Sequence, residues 1–238
     1  MTKCAYLGSS SAPDLIQQFD TSRKRLKQDM VDVLFLHRWD DNTPLEETFE
    51  TLAGFKDKTQ IRAIGVSNFS AWQVMKAQSV AKTFGLSIHV TQPMYNLIKR
   101  QAEVEILPMC ASEGIAVTPY SPLGGGLLTG KYSQATTGRL TEDHRYAARY
   151  NQDWFRKTAQ DLTDKAAELN MHPATLAVAW VAKNTSITAP LISGKTPEQL
   201  RPSLDALQFD MPDDLHKDIS SMSRTPPPAT DRLEETTL

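Results

Sequence analysis

The stretch Val31–Val66, VDVLFLHRWDDNTPLEETFETLAGFKDKTQIRAIGV, decides the fold class. It opens on VDVLFL and closes on IRAIGV, two short apolar runs of the kind that form strands covered on both faces. Between them Pro44–Phe55 reads as a helix, with Thr43 expected as its N-cap, Pro44 at its first position and Glu46 completing a capping box. Parallel neighbours need a long crossover and a helix supplies it, so strand, helix, strand over this length is a parallel βα unit.

Further strands are expected downstream at Ile88–Gln92 (IHVTQ) and Ala116–Tyr120 (AVTPY), which keeps a period of roughly thirty residues. The helices between them are expected at Ala71–Phe84, capped by Ser70 and ended by Gly85, and at Gln101–Ser112, ended by Gly114. Upstream, Pro13–Met30 places Leu15, Ile16, Phe19 and Leu26 on one helical face. Carried back one more repeat, the period puts the tail end of a strand at residues 1–4. After Tyr120 the rhythm breaks into a glycine loop, a polar stretch Ser133–Asn151 and helices Asp153–Leu169 and Pro173–Lys183. A strand at Ile187–Ile192 (ITAPLI) and helices Pro197–Leu207 and Pro212–Met222 follow. The expectation is an α/β fold of the (β/α)8 TIM-barrel type, truncated at the N-terminus, with about six of its eight units present. An open doubly wound sheet is the alternative, but its glycine-rich loop would follow the first strand and here it follows the fifth. Residues 1–222 are expected as the barrel domain, and 223–238, with Pro226, Pro227 and Pro228, as an irregular tail.

Composition narrows the partners. The 238 residues carry 26 basic and 28 acidic side chains, a net charge of −2, with no basic block to hold nucleic acid. Cys4 and Cys110 lie far apart without metal-ligand spacing, which suits a cytoplasmic protein. No apolar run approaches the ~18 residues of a membrane span.

Side chains at the C-terminal ends of parallel strands share one mouth, and His37 ends such a strand. Tyr120, Ser121 and the bare backbone of Gly124–Gly126 would suit a flat cofactor ring with phosphates behind it, or equally a plain surface loop. His89, His144, His172 and His216 have no partner pattern and read as structural or solvated.

In that order and at that spacing, DVLFLHRWD, IRAIGVSNF, TQPMYN, PYSPLGGGLLTGKY and ISGKTPEQL resemble the aldo-keto reductase superfamily, nearest its bacterial members with long substrate loops. The resemblance implies a (β/α)8 barrel that reduces a small aldehyde or ketone with NADP(H), using a Tyr as acid, an Asp and a Lys beside it, and a His that orients the carbonyl. It implies catalytic roles for His37 and Lys3. It further implies contacts to the nicotinamide carboxamide from Ser67, Asn68 and Gln92, with Tyr120 stacked on the ring. Ser121, Leu123, Gly125 and the loop to Lys131 would wrap the pyrophosphate, and Ser193, Lys195, Gln199 and Ser203 the adenosine-phosphate end. Many relatives carry Arg where this chain has Lys195, and Asn where it has Ser203. Trp39, adjacent to His37, would shape the substrate pocket.

The family's D-x-A-x-x-Y pattern, which carries the Asp and the Tyr, does not occur in these 238 residues. Tyr6 is the nearest tyrosine in sequence, and nothing around it restores the pattern. Two readings follow: an NADP(H)-dependent oxidoreductase impaired in this form, or a non-catalytic NADP-binding or partner-binding remnant able to self-associate through open sheet edges. A start codon placed too late would leave the same sequence.

Overall fold

The apolar runs pair in chain order into one parallel sheet: β1 (Thr2–Cys4), β2 (Val31–Leu36), β3 (Ile61–Ser67), β4 (Ile88–Gln92) and β5 (Ala116–Val117). This computed structural model describes residues 1–6, 9–133, 139–230 and 232. Residues 134–138 of the polar stretch, and 231 and 233–238 of the expected tail, lie outside them. The chain forms two units, one of Met1–Pro93 with Met109–Val117 and one of Met94–Pro108 with Thr118–Leu238. No helix among the described residues is long and apolar enough to cross a membrane.

The first unit holds the sheet and the helices α1 (Ala12–Leu26), α2 (Leu45–Asp57) and α3 (Ala71–Thr83). Lys3 stands opposite Phe35, Leu36 opposite Val66, and Ser67 opposite Gln92. Side chains alternate along a strand, so this register puts Lys3, Phe35, Gly65, Val90 and Gln92 on one face of the sheet. The core on the helical side is apolar and sealed: Leu15, Phe19, Phe49, Leu52 and Val74 are fully buried. Of the face expected for α1, Leu15 and Phe19 are inside while Ile16 and Leu26 stay exposed.

Thr43 does not cap α2, whose N-cap is Pro44 with no side-chain hydrogen bond. The Thr43 hydroxyl instead donates to Asp40 Oδ2 at 2.6 Å. The same carboxylate accepts the Ser10 and Asn42 backbone N–H groups, each within 2.9 Å, so a charged acceptor outcompetes the helix end for Thr43. The Ser70 cap, by contrast, forms a full capping box with Gln73, and Gly85 leaves α3 at φ 67°.

Before β5 runs α4 (Ile106–Glu113), preceded by a separate 3-10 turn at Gln101–Glu103, so the expected helix from Gln101 is broken. The expected strand Ala116–Tyr120 keeps only its first two residues in the sheet, since Pro119 cannot donate to a ladder.

The second unit contains α5 (Arg139–Glu142), α6 (His144–Arg149), α7 (Asp153–Glu168), α8 (Pro173–Lys183), α9 (Pro197–Asp205) and α10 (Asp213–Ser221). Ile187–Ile192, expected as the sixth strand, is not one. Its register is broken by Pro190, which has no N–H, and the Leu191 N–H donates to the Pro119 carbonyl at 2.8 Å. Tyr95 and Trp180 pack their rings 5.3 Å apart at the centre of this unit. Around them Arg100 donates to both oxygens of Glu103 at 2.9 Å and to the Ser220 carbonyl at 3.0 Å, which ties α10 down.

Candidate functional site

In the first unit the strand ends bring together Lys3, His37, Ser67, Asn68 and Gln92. The ammonium of Lys3 leaves β1, passes over the Phe35 ring and donates to Oε1 of Gln92 at the end of β4. A glycine at 65 makes that path possible. A Cβ there would lie 2.5 Å from two Phe35 ring carbons and 2.9 Å from Val90, so any side chain would displace the ring from the floor. Lys3 cannot accept a hydrogen bond, so this contact fixes the Gln92 amide with its oxygen toward Lys3 and its Nε2 the other way. That Nε2 is buried and has no partner among the described residues.

Ser67 is fully buried, and its hydroxyl donates to the Gln92 carbonyl at 2.9 Å. Asn68 is exposed and left-handed at φ 58°, a conformation Asn tolerates better than most residues. Its Nδ2 donates to the His37 carbonyl at 2.9 Å and to Ser67 Oγ at 3.1 Å.

His37 is half-buried. Burial first, then the positive charges of Lys3 and Arg38, hold its pKa below the ordinary value, so the ring is neutral at neutral pH. Lys3 is lowered as well, by burial. The His37 ring stacks on Tyr6 with centroids 4.8 Å apart and planes at 30°. Ala5, at φ 62°, turns the chain out of β1 toward this contact, and the Gln18 side chain accepts its N–H at 2.8 Å. A left-handed alanine carries strain of order 1 kcal/mol, of the kind found where a fold must hold a particular geometry. No motif surrounds Tyr6 in the sequence. The turn that places it over His37 has no composition signal, because alanine rarely makes one.

Trp39 follows His37 by two residues. Its ring meets Phe69 edge-on at 5.3 Å and Trp72 at 5.5 Å, and its Nε1 donates to Asp41. It also lines an open pocket with Ser9, Arg38, Asp40 and Thr43.

The second unit gathers Tyr120, Ser121, Leu123, Gly125 and Lys131 on one loop. Tyr120 bridges to Met94 in parallel fashion, and burial raises its pKa. Ser121 is left-handed at φ 59°, and its carbonyl accepts from Asn96 Nδ2 at 2.9 Å and from Gly124 N–H at 3.0 Å. The segment Gly124–Thr129 is two 3-10 turns joined across a kink at Gly125 and Gly126. Gly125, at φ 67°, presses its backbone against Tyr146 and Tyr150: a Cβ would sit 3.0 and 3.1 Å from their rings. Lys131 is exposed and folds its ammonium over Tyr132 at 4.7 Å.

Ser193, Lys195 and Gln199 are exposed near the start of α9. Thr196 caps that helix, and Gln199 Oε1 accepts the Lys195 backbone N–H at 3.1 Å. Ser203 belongs to the buried side of α9, its hydroxyl enclosed without a partner among the described residues. Both cysteines are buried, and burial pushes their thiols up to about 12, so neither is a nucleophile at neutral pH.

Comparison with known proteins adds a family to this geometry. Residues 1–224 match the sequence pattern described as the aldo/keto reductase family. The chain is 33% identical, over 82% of its length and 59% of the relative's, to the "Uncharacterized oxidoreductase YrpG" of Bacillus subtilis. It is 35% identical to a "Probable voltage-gated potassium channel subunit beta" of rice, over 79% of this chain and 59% of that one. To the mouse "Aflatoxin B1 aldehyde reductase member 2" it is 40% identical, over 52% of this chain and 35% of the other. The chain therefore spans under two thirds of the length of these relatives.

Proposed function

The chain belongs to the aldo/keto reductase family, and from that premise we propose that it serves NADP(H)-dependent reduction of an aldehyde or ketone. The observation that carries this reading is the Gln92 amide. A buried N–H donor without a partner costs about 1–3 kcal/mol, and the carboxamide oxygen of a nicotinamide would satisfy it. Lys3 holds the amide in that orientation, and Ser67 holds its backbone. When bound, the reduced nicotinamide supplies a hydride.

The chain's own groups do the rest. His37, neutral and stacked on Tyr6, has one ring N–H to give, and can donate it to the oxygen of a carbonyl. The Lys3 ammonium places positive charge on the same face, where an alkoxide would develop. The loop Ser121–Lys131 offers backbone N–H groups and a cation to phosphates, and exposed Lys195 beside the start of α9 offers another to the adenosine end. The family's acid Tyr and its Asp belong to a pattern that these 238 residues do not contain. The chain by itself therefore binds cofactor and turns over slowly.

A second reading, binding without turnover, rests on that missing pattern and on the relatives named as probable channel subunits. One titration and one assay test both. NADPH should bind the purified chain saturably, seen as enhanced nicotinamide fluorescence, while aldehyde-dependent NADPH oxidation stays well below the ~1 s⁻¹ of an ordinary enzyme. Turnover at or above that rate would refute the binding-only reading, and absence of NADPH binding would refute both.

A further inference from the structure

Lys99 and Arg149 in the second unit have no carboxylate partner among the described residues. Lys99 leaves a tight turn closed by paired Asn96 and Lys99 backbone bonds at 2.9 and 3.3 Å. Its ammonium stands 4.9 Å over the Phe155 ring and 6.0 Å over Tyr150. Arg149, at the end of α6, lies 5.3 Å over Tyr146, whose ring is stacked 6.5 Å from Tyr150. Both side chains are half-buried. Burial disfavours the charge on Lys99, and the Arg149 guanidinium is near enough to disfavour it further. Neither forms an ion pair among the described residues. Arg100, the next residue along, takes both oxygens of Glu103. Aromatic faces attract each cation singly but do nothing about the repulsion between the two. The glycine loop lies on the same rings, with Gly125 held against Tyr146 and Tyr150.

We propose that Lys99 and Arg149 form an anion-binding site beside the Gly124–Thr129 loop, on an aromatic floor of Tyr146, Tyr150 and Phe155. A group with two or more anionic oxygens, a phosphate or a carboxylate, would take an ammonium and a planar fork together. It could arrive as the phosphates of a dinucleotide or as the charged end of a carbonyl substrate. The site stands on the two cations and does not depend on the cofactor reading above.

The test is calorimetric titration of the whole chain with inorganic pyrophosphate and, separately, with succinate, at constant ionic strength. At least one should bind saturably, about tenfold or more weaker in K99Q/R149Q and within about threefold in K99R/R149K. Neither binding the natural chain, or equal binding by the neutral variant, overturns the proposal. Should K99Q/R149Q fail to fold, the Lys99 side chain is followed by NMR in the natural chain. Its pKa must rise when the anion is added, and a pKa unmoved by both anions overturns the proposal. An equal loss of NADPH affinity in K99Q/R149Q supports it with the cofactor's phosphates as occupant. Unchanged NADPH binding with lost succinate binding supports it with a substrate anion. Pyrophosphate binding by a chain that does not bind NADPH keeps this site and removes the cofactor reading.

Discussion

Lys3 and Gln92 stand on β1 and β4 with two strands between them, and the ammonium of the first donates to the amide oxygen of the second. That contact spans β2 and β3 over the Phe35 ring, which Gly65 leaves room for beneath it. It turns a surface-type residue near the chain's start into part of the mouth. The orientation of the Gln92 Nε2 follows from it.

Replacing Gln92 separates the two ends of its amide. Q92A removes the donor and should weaken NADPH binding by about 1 kcal/mol, roughly fivefold. Q92E keeps an acceptor for Lys3 and loses the donor, so the folded state should hold while the affinity falls as far. Fluorescence titration with NADPH alongside urea unfolding checks both. Full affinity in Q92E would show that Nε2 faces no ligand.

Gly65→Ala should destabilise the first unit by about 1–3 kcal/mol, because the new methyl overlaps a buried ring that packing holds in place. Adding Phe35→Leu makes room, so the double variant should lose less than the two single losses combined. Urea midpoints of the four proteins measure the coupling.

His172 caps α8 by accepting the Ala174 N–H at its Nδ1, at 3.0 Å. Burial holds the pKa of His172, like those of His37 and His216, below its ordinary 6.5. As pH falls toward 6.5 the unfolded chain takes up protons first, so protonation favours unfolding, and stability should drop from about pH 7 downward. A protonated ring has no acceptor left for the cap. His172→Asn keeps an acceptor that does not titrate, and should flatten the fall in urea midpoint between pH 7.5 and 5.5. An unchanged slope would rule out His172 as a contributor.

Glu103 answers Arg100, whose side chain is only 11% exposed, and accepts the Tyr95 hydroxyl at 2.7 Å. Glu103→Ala strands that guanidinium and should cost about 3 kcal/mol, near the lower end for a broken buried pair. Because Arg100 also holds the Ser220 carbonyl, faster amide exchange should appear first in α10. Exchange rising uniformly over the second unit would argue against that tie.

Much of the architecture is legible from pattern. The apolar runs at Val31, Ile61 and Ile88 are strands because each is short, apolar and bounded by polar turns, and they pair in the order in which they occur. Pro173 and Lys183 bound α8 as read, and Ser70 and Gly85 frame α3, because caps are decided by neighbours in sequence. The pattern failed where a distant partner intervened. Thr43 left its helix for Asp40, and Ile187–Ile192 lost its ladder at Pro190.

The sequence by itself determined the periodic βα order and which residue types stand at the strand ends, since these follow from spacing and local propensity, and its motifs carried the resemblance to the family. Only the tertiary structure decided that Tyr6 lies on His37, that Lys3 orients Gln92, and that Lys99 and Arg149 share one aromatic floor. Each of these depends on side chains far apart in the chain, brought together by register and burial, and no local signal encodes such a meeting.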